Sequence, residues 1–220
     1  MGYKLKIMNN KIVTIALGAA LTTFAFVANA QKKFTEGIMT YNSSSAAGET
    51  ETKIIFRGDS SQQVIVSGPA TIKLTTTANR SYFAVMVDVP VASIKKAAVL
   101  TPDEVDQASE ESPKYTFTPT TETKQIAGYN CKKFLGKDAK TGADAEVWVT
   151  NEISVPSNLI TAAFAGTGGF PVEITATQQG VKATSTLKTI TEQKVPAGTF
   201  AVTKDYDKIT YDELKAMRGH

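Results

Sequence analysis

The chain has 220 residues, with 24 basic and 21 acidic side chains, one cysteine and one histidine. Lys4, Lys6 and Lys11 are the only charges in the first thirty residues, so the remainder is balanced at 21 of each sign, which excludes nucleic acid and a polybasic membrane attachment as partners. Cys131 alone cannot form an internal disulfide, and with His220 as the only imidazole the census excludes zinc centres and histidine-based nucleophilic triads.

Taken in order, the three lysines precede an apolar run over 12–27 and the small residues Ala28, Asn29 and Ala30. This pattern predicts a secretory signal peptide cleaved after Ala30. The uncharged run falls short of the roughly 20 residues a spanning helix needs. Gln31, rather than a cysteine, follows the cleavage point, so a bacterial lipoprotein anchor is not expected. The reading is an exported protein, periplasmic or secreted, with one β-rich domain over 31–220 and no transmembrane segment after cleavage.

From Phe34 onward short apolar or Thr-rich runs alternate with turn residues, as in an antiparallel β protein. A first strand is predicted over 37–41, followed by a polar loop over 42–49. Strands over 52–56 and 63–66 flank Arg57, Gly58, Asp59 and Ser60 as a hairpin. The next strand, 71–76, turns Ile72 and Leu74 to one face. The run 81–87, with Tyr82, Phe83, Val85, Met86 and Val87, is apolar enough to be covered on both faces or to lie near a cavity. Pro90 marks a turn, and 94–100 reads as a strand. Thr101, Pro102 and Glu104 then have the arrangement of a capping box with proline in the first turn, predicting a short surface helix to Glu111.

A Thr-rich strand over 115–123 leads into the densest strand signal of the chain, a hairpin of 125–135 and 145–150 that carries Cys131 and Trp148. Pro156 can open a helix to Ala163 with Leu159, Ile160, Ala163 and Phe164 as its apolar stripe, and Gly166, Gly168 and Gly169 end it. The clearest alternating pair, 171–177 and 181–190, is joined by Gln178, Gln179 and Gly180. Thr210 and Glu213 form a second capping box, opening a terminal helix that docks through Tyr211, Leu214 and Met217.

Several stretches invite a chemical reading that a simpler one answers. Arg57, Gly58 and Asp59 spell an adhesion tripeptide but sit where a strand turns. The acidic side chains of 103–111 suit a helix N-terminal dipole. The glycines of 166–169 lack the Lys-Ser/Thr of a phosphate loop. Asp205 and Asp207 are two carboxylates without the further oxygens of a cation cage. Cys131 reads as a small buried apolar side chain. No catalytic residue, metal ligand or cofactor is assigned.

The runs Ile126-Ala127-Gly128-Tyr129-Asn130-Cys131-Lys132-Lys133-Phe134, Gly169-Phe170-Pro171-Val172-Glu173-Ile174 and Val195-Pro196-Ala197-Gly198-Thr199-Phe200, with the export signal, resemble an uncharacterised bacterial envelope family. Through that family the chain is distantly similar to the LolA/LppX superfamily of lipoprotein carriers. The resemblance implies a curved antiparallel sheet or half-open β-barrel with two or three short helices. It further implies a non-enzymatic role in which lipid or another apolar molecule binds in the half-barrel, with 101–111 and 156–163 as a lid. The candidate lining residues are Tyr82, Phe83, Phe134, Trp148, Phe164 and Phe170. Two alternatives stay open: a structural or protein-interaction module of the envelope, and a hydrolase using carboxylates such as Asp205 or Asp207.

Overall fold

A computed structural model describes residues 31–178 and 180–217. The predicted leader, Gln179, Arg218 and His220 lie outside the described residues. In chain order the strands begin with β1 (Lys32–Lys33), β2 (Glu36–Ser45), β3 (Gly48–Arg57), β4 (Ser60–Ser67), β5 (Ala70–Thr77), β6 (Phe83–Val89) and β7 (Ile94–Val99). Helix α1 (Pro102–Glu111) follows, then β8 (Tyr115–Ile126), β9 (Tyr129–Asp138), β10 (Asp144–Thr150) and β11 (Ile153–Ser154). Helix α2 (Leu159–Ala163), β12 (Phe170–Gln178), β13 (Val181–Glu192), β14 (Asp207–Lys208) and α3 (Tyr211–Ala216) complete the chain.

Twelve strands form one sheet in the order β14-β7-β6-β5-β4-β3-β2-β13-β12-β10-β9-β8, and β1 and β11 pair separately. The sheet is antiparallel except for the short β14–β7 pairing at one edge. It is a meander from β2 to β7, joined through the β2–β13 seam to the strands that come later in sequence. The mostly β class and the open antiparallel sheet with short helices are as the sequence predicts.

Chain length forces the sheet to bend. From β7 to β8 the strand order contains ten spacings, which at ~4.8 Å each would place these strands ~48 Å apart in a flat sheet. The connection between them is only Leu100 to Lys114, of which ten residues are α1. That segment reaches ~33 Å at most, from ~1.5 Å per helical residue and ~3.5 Å per extended one. The sheet therefore curls until its two ends lie within reach of α1.

Each helix forms where its capping residues allow. Thr101 Oγ1 accepts from the Glu104 N–H while Glu104 returns a bond to the Thr101 N–H, and Pro102 opens the first turn. Thr210 and Glu213 repeat the arrangement at α3. The second helix starts later than Pro156 suggests, because the Asn158 side chain accepts from the Ile160 and Thr161 N–H groups and so sets the boundary. Its expected stripe is also incomplete, since Ala163 is exposed.

The β6 strand is covered on both faces, as its composition predicts. On one face Val85 lies between Leu74 and Ala98 in register and packs with Val105 of α1 and Leu214 of α3. On the other, Met86 and Ala97 pack against Tyr206. Tyr206 belongs to a strap over 193–206 that leaves β13 and crosses toward β7. Glu36 receives the Val195 N–H, Arg57 donates to the Val195 carbonyl at 2.9 Å, and Gln62 donates to that of Thr199 at 3.2 Å. After the strap, β14 joins the β7 edge and α3 docks through Leu214, whereas Met217 is exposed, contrary to its predicted docking.

Two further expectations are corrected. The polar segment 42–49 is not a loop but the hairpin end of β2 and β3, because its hydroxyls have cross-strand partners such as Ser43 with Ser185 at 2.6 Å. The expected strand 125–135 is broken by a tight turn at Ala127 and Gly128, both with positive φ, 50° and 86°. Two such residues are what a two-residue hairpin of matching twist requires.

Candidate functional site

The six aromatic candidates are distributed over different parts of the core. Trp148 and Phe170 share the largest buried cluster with Met39, Tyr41, Ile54 and Phe56. Phe134 and Phe164 meet in a second cluster with Tyr115 and Phe117. There the Phe164 ring stacks on Tyr115 at 6.0 Å and tilts against Phe117 at 5.8 Å. Phe83 packs in the α1–α3 cluster, and its neighbour Tyr82 is half-buried, which pushes its hydroxyl above the ordinary range. Two pairs of candidates thus share a cluster each, Trp148 with Phe170 and Phe134 with Phe164, while Phe83 lies in a third.

Trp148 lies beneath a closed ionic network. The Lys124 and Lys133 ammonium groups stand 4.2 and 5.6 Å from its ring, and its indole N–H donates to Glu146 at 3.0 Å. Lys124 pairs with Glu173 at 2.8 Å, and Lys133 with both Glu146 at 2.9 Å and Glu122 at 3.3 Å. Burial pushes the Glu146 carboxyl up, but Lys133 and the indole N–H outweigh it and hold the group below its ordinary range. Every charge has a partner, so this network keeps the indole covered.

The stretch 151–169 is more open. It joins β10 to β12, which are adjacent antiparallel strands with Thr150 opposite Phe170. Such neighbours usually need only ~2–5 residues between them, and connections above ~12–15 residues are uncommon outside functional loops. Here nineteen intervene, and they carry β11, α2 and a 3-10 turn (Ala165–Thr167). None of the α2 residues is fully buried. The excursion is held by Ile153 in the main core and Phe164 in the aromatic cluster, with Val155 and the half-buried Ile160 packed against them.

Shallow grooves flank the start of α2. One, bounded by Ile54, Ser61 and Gln63 and by Asn158, Leu159 and Ile160, offers about 150 Å³ including open solvent. The other, of about 200 Å³, lies between Thr76, Ala78 and Arg80 and the same end of the helix. Small-molecule sites usually enclose ~300–1,000 Å³, whereas these grooves are open surface depressions with no room for more than about one water, so neither is a preformed acyl-chain cavity. The segment 156–163, for which the resemblance implies a lid, lies within the 151–169 excursion. The tie of that excursion to β1 is not legible in the sequence, since two lysines carry no pairing signal.

The remaining sequence candidates are engaged in structural contacts. Asp205 pairs with Lys95, whose hydrogen bond does most to hold that carboxyl down at about 2, and Asp207 pairs with Lys96 at 2.9 Å. Among the described residues no three His, Cys, Asp or Glu side chains gather as metal ligands. Arg57 of the adhesion-like tripeptide is occupied by the Val195 carbonyl and lies 5.7 Å from the Phe200 ring. Cys131 is buried, donates to the Tyr129 carbonyl, and has its thiol pushed up to about 11 by that burial.

With this geometry in place, comparison with known proteins gives a family and a fold. The family model described as a domain of unknown function, DUF4412, matches residues 34–160. No curated protein sequence matches. Among solved structures the chain is similar to PNGF-II in two crystal forms, at 16% and 15% identity and a TM-score of 0.50. That similarity covers 83% of this chain but only 32% and 33% of PNGF-II, so the chain spans about a third of that protein's length. It is also similar to LprF from Mycobacterium bovis, at 10% identity over 73% of this chain and 89% of that one, with a TM-score of 0.35. At 16% and 15% identity the PNGF-II structures bear on fold alone.

Proposed function

Because the chain belongs to the DUF4412 family, whose function is unknown, its role is read from its geometry, and we propose that it is an exported, non-enzymatic protein that binds lipid or another apolar chain. The single observation carrying this reading is the excursion 151–169, a lid-sized connection between adjacent strands whose helix buries none of its own residues. Ile54 of β3 gives the groove beneath it an apolar floor beside Ser61 and Gln63 of β4, and Asn158, Leu159 and Ile160 line the side formed by the excursion itself. Lifting α2 would join this groove to the core beneath without breaking the pairing of the large sheet. The sequence supports export through its leader pattern and supports binding without chemistry through its lack of an internal imidazole.

Mass spectrometry of an organic extract from residues 31–220, purified natively from a bacterial periplasm beside an unrelated β protein, tests the proposal. The expected result is a stoichiometric lipid absent from the control. A clean extract, with no uptake of a dye that fluoresces in apolar sites, refutes it.

A second reading, an envelope protein that engages another protein, is favoured by a different observation. The β4–β5 and β6–β7 turns lie at the same end of the sheet, and beside them Val66 and Val91 are 53% and 82% exposed. No helix among the described residues is long and apolar enough to cross a membrane.

A further inference from the structure

We propose that residues 31–35 are the latch of the lid: pairing of β1 with β11 and burial of Phe34 hold the 151–169 excursion closed, and release of this segment opens the apolar groove. The inference rests on the ligand-binding reading for its purpose, but the latch itself can be tested without a ligand.

The β1–β11 pair stands apart from the large sheet, so it contributes nothing to that sheet's hydrogen bonding. Its register sets Lys32 beside Ile153 and Lys33 beside Ser154. The Lys32 N–H donates to the Glu152 carbonyl at 2.8 Å, and the Phe34 N–H to that of Ser154 at 2.9 Å. One residue further, the Thr35 carbonyl accepts from the Gly58 N–H at 3.1 Å, at the β3–β4 turn. Five residues therefore tie the base of the excursion to the far half of the sheet. The side chain between these ties is Phe34, 1% exposed, in the same buried cluster as Ile153, Ile54 and Phe56. Ile160 of α2 packs against that cluster. The pairing spans only two exposed residues, so it can be undone locally at lower free energy than the whole protein, and the buried Phe34 ring sets most of the cost of release.

Two variants and a crosslink test the latch by amide hydrogen exchange. Lys32→Pro removes the donor to Glu152 at an exposed position and leaves the core intact, whereas Phe34→Ala removes the plug. Exchange at Ile160, Thr161, Ala162 and Thr167, whose amides are bonded within the excursion, should quicken at least ~tenfold in both variants. Exchange across β3 to β6 should stay unchanged in Lys32→Pro. Unchanged exchange in the excursion, or an equal rise across the whole sheet in Lys32→Pro, overturns the latch. Lys33→Cys with Ser154→Cys, in a Cys131→Ala background, joins register partners ~4.8 Å apart, within disulfide reach. Oxidation should suppress uptake of a dansyl-labelled fatty acid by the folded protein, and reduction should restore it. Faster lid exchange with no uptake by any variant would support the latch and refute the ligand-binding reading. Uptake that ignores the crosslink would overturn the latch alone.

Discussion

Tyr41→Phe removes a single hydroxyl from the centre of the core, and its effect can be worked from the structure. Tyr41 is 1% exposed, and its hydroxyl donates to the Pro171 carbonyl at 2.6 Å, beside the irregularity where β12 shifts register against β10. Losing this bond costs the pair and leaves a buried acceptor without its donor, about 1–3 kcal/mol. For a domain of this size each kcal/mol lowers Tm by ~2–4 °C. Urea unfolding followed by fluorescence of Trp148, the sole tryptophan, measures the loss. The pH dependence supplies a sharper check. Burial raises the Tyr41 pKa far above its ordinary value of 10.0, so above pH 10 the unfolded chain releases a proton that the folded one keeps. The stabilisation is complete below pH 10 and declines above it by about 1.4 kcal/mol per pH unit. Tyr41→Phe lacks this decline, so its gap from the native protein should narrow as pH rises from 10 to 11. Equal stability at pH 7, or a gap that stays constant, would refute the reasoning.

Gly37→Ala should weaken the β2–β13 seam, because a Cβ there would sit 2.2 Å from the Thr191 carbonyl oxygen, a backbone atom that cannot turn aside. A loss of about 1–3 kcal/mol by urea titration is expected, and Gly136→Ala should lose less, since its clash is with the rotatable Phe117 ring at 2.9 Å. The Cys131 thiol, buried and held protonated at neutral pH, should react with a maleimide at pH 8 only as fast as the protein opens; rapid labelling of the native state would contradict its placement.

What the sequence reveals depends on whether the determining interaction is local. The boxes at Thr101 and Thr210 are complete within four residues each, and both helices start where those residues place them. The double coverage of β6 follows from its own composition. By contrast, Ser43 and Ser44 read as loop because their composition carries no strand pattern, and beside the local β3 partner their second neighbours, Ser185 and Thr184, lie far off in the chain. The turn at Ala127 was hidden because alanine seldom adopts positive φ, and the flanking Ile126 and Tyr129 continue a strand-like pattern. For the candidate site, a helix is legible over 156–163, although it starts only at Leu159, but the groove floor comes from β3 and β4, about a hundred residues earlier. The aromatic candidates share only their residue type, and type does not say which of several clusters a ring will join.

The β2–β13 seam also sets the order in which the chain can be completed. β2 finds its second neighbour only when residues 183–192 arrive, roughly 140 or more positions after it. Until then the meander from β2 to β7 carries an unpaired row of backbone donors and acceptors along β2, the kind of edge that recruits other chains. Long-range pairing of this sort is slow, because loop closure must be met before the contacts form. A chain truncated ahead of Val181 would keep that edge permanently and would be expected to aggregate. The C-terminal strap, laid across the meander only after β13 has docked, makes completion of the chain the step that secures the whole sheet.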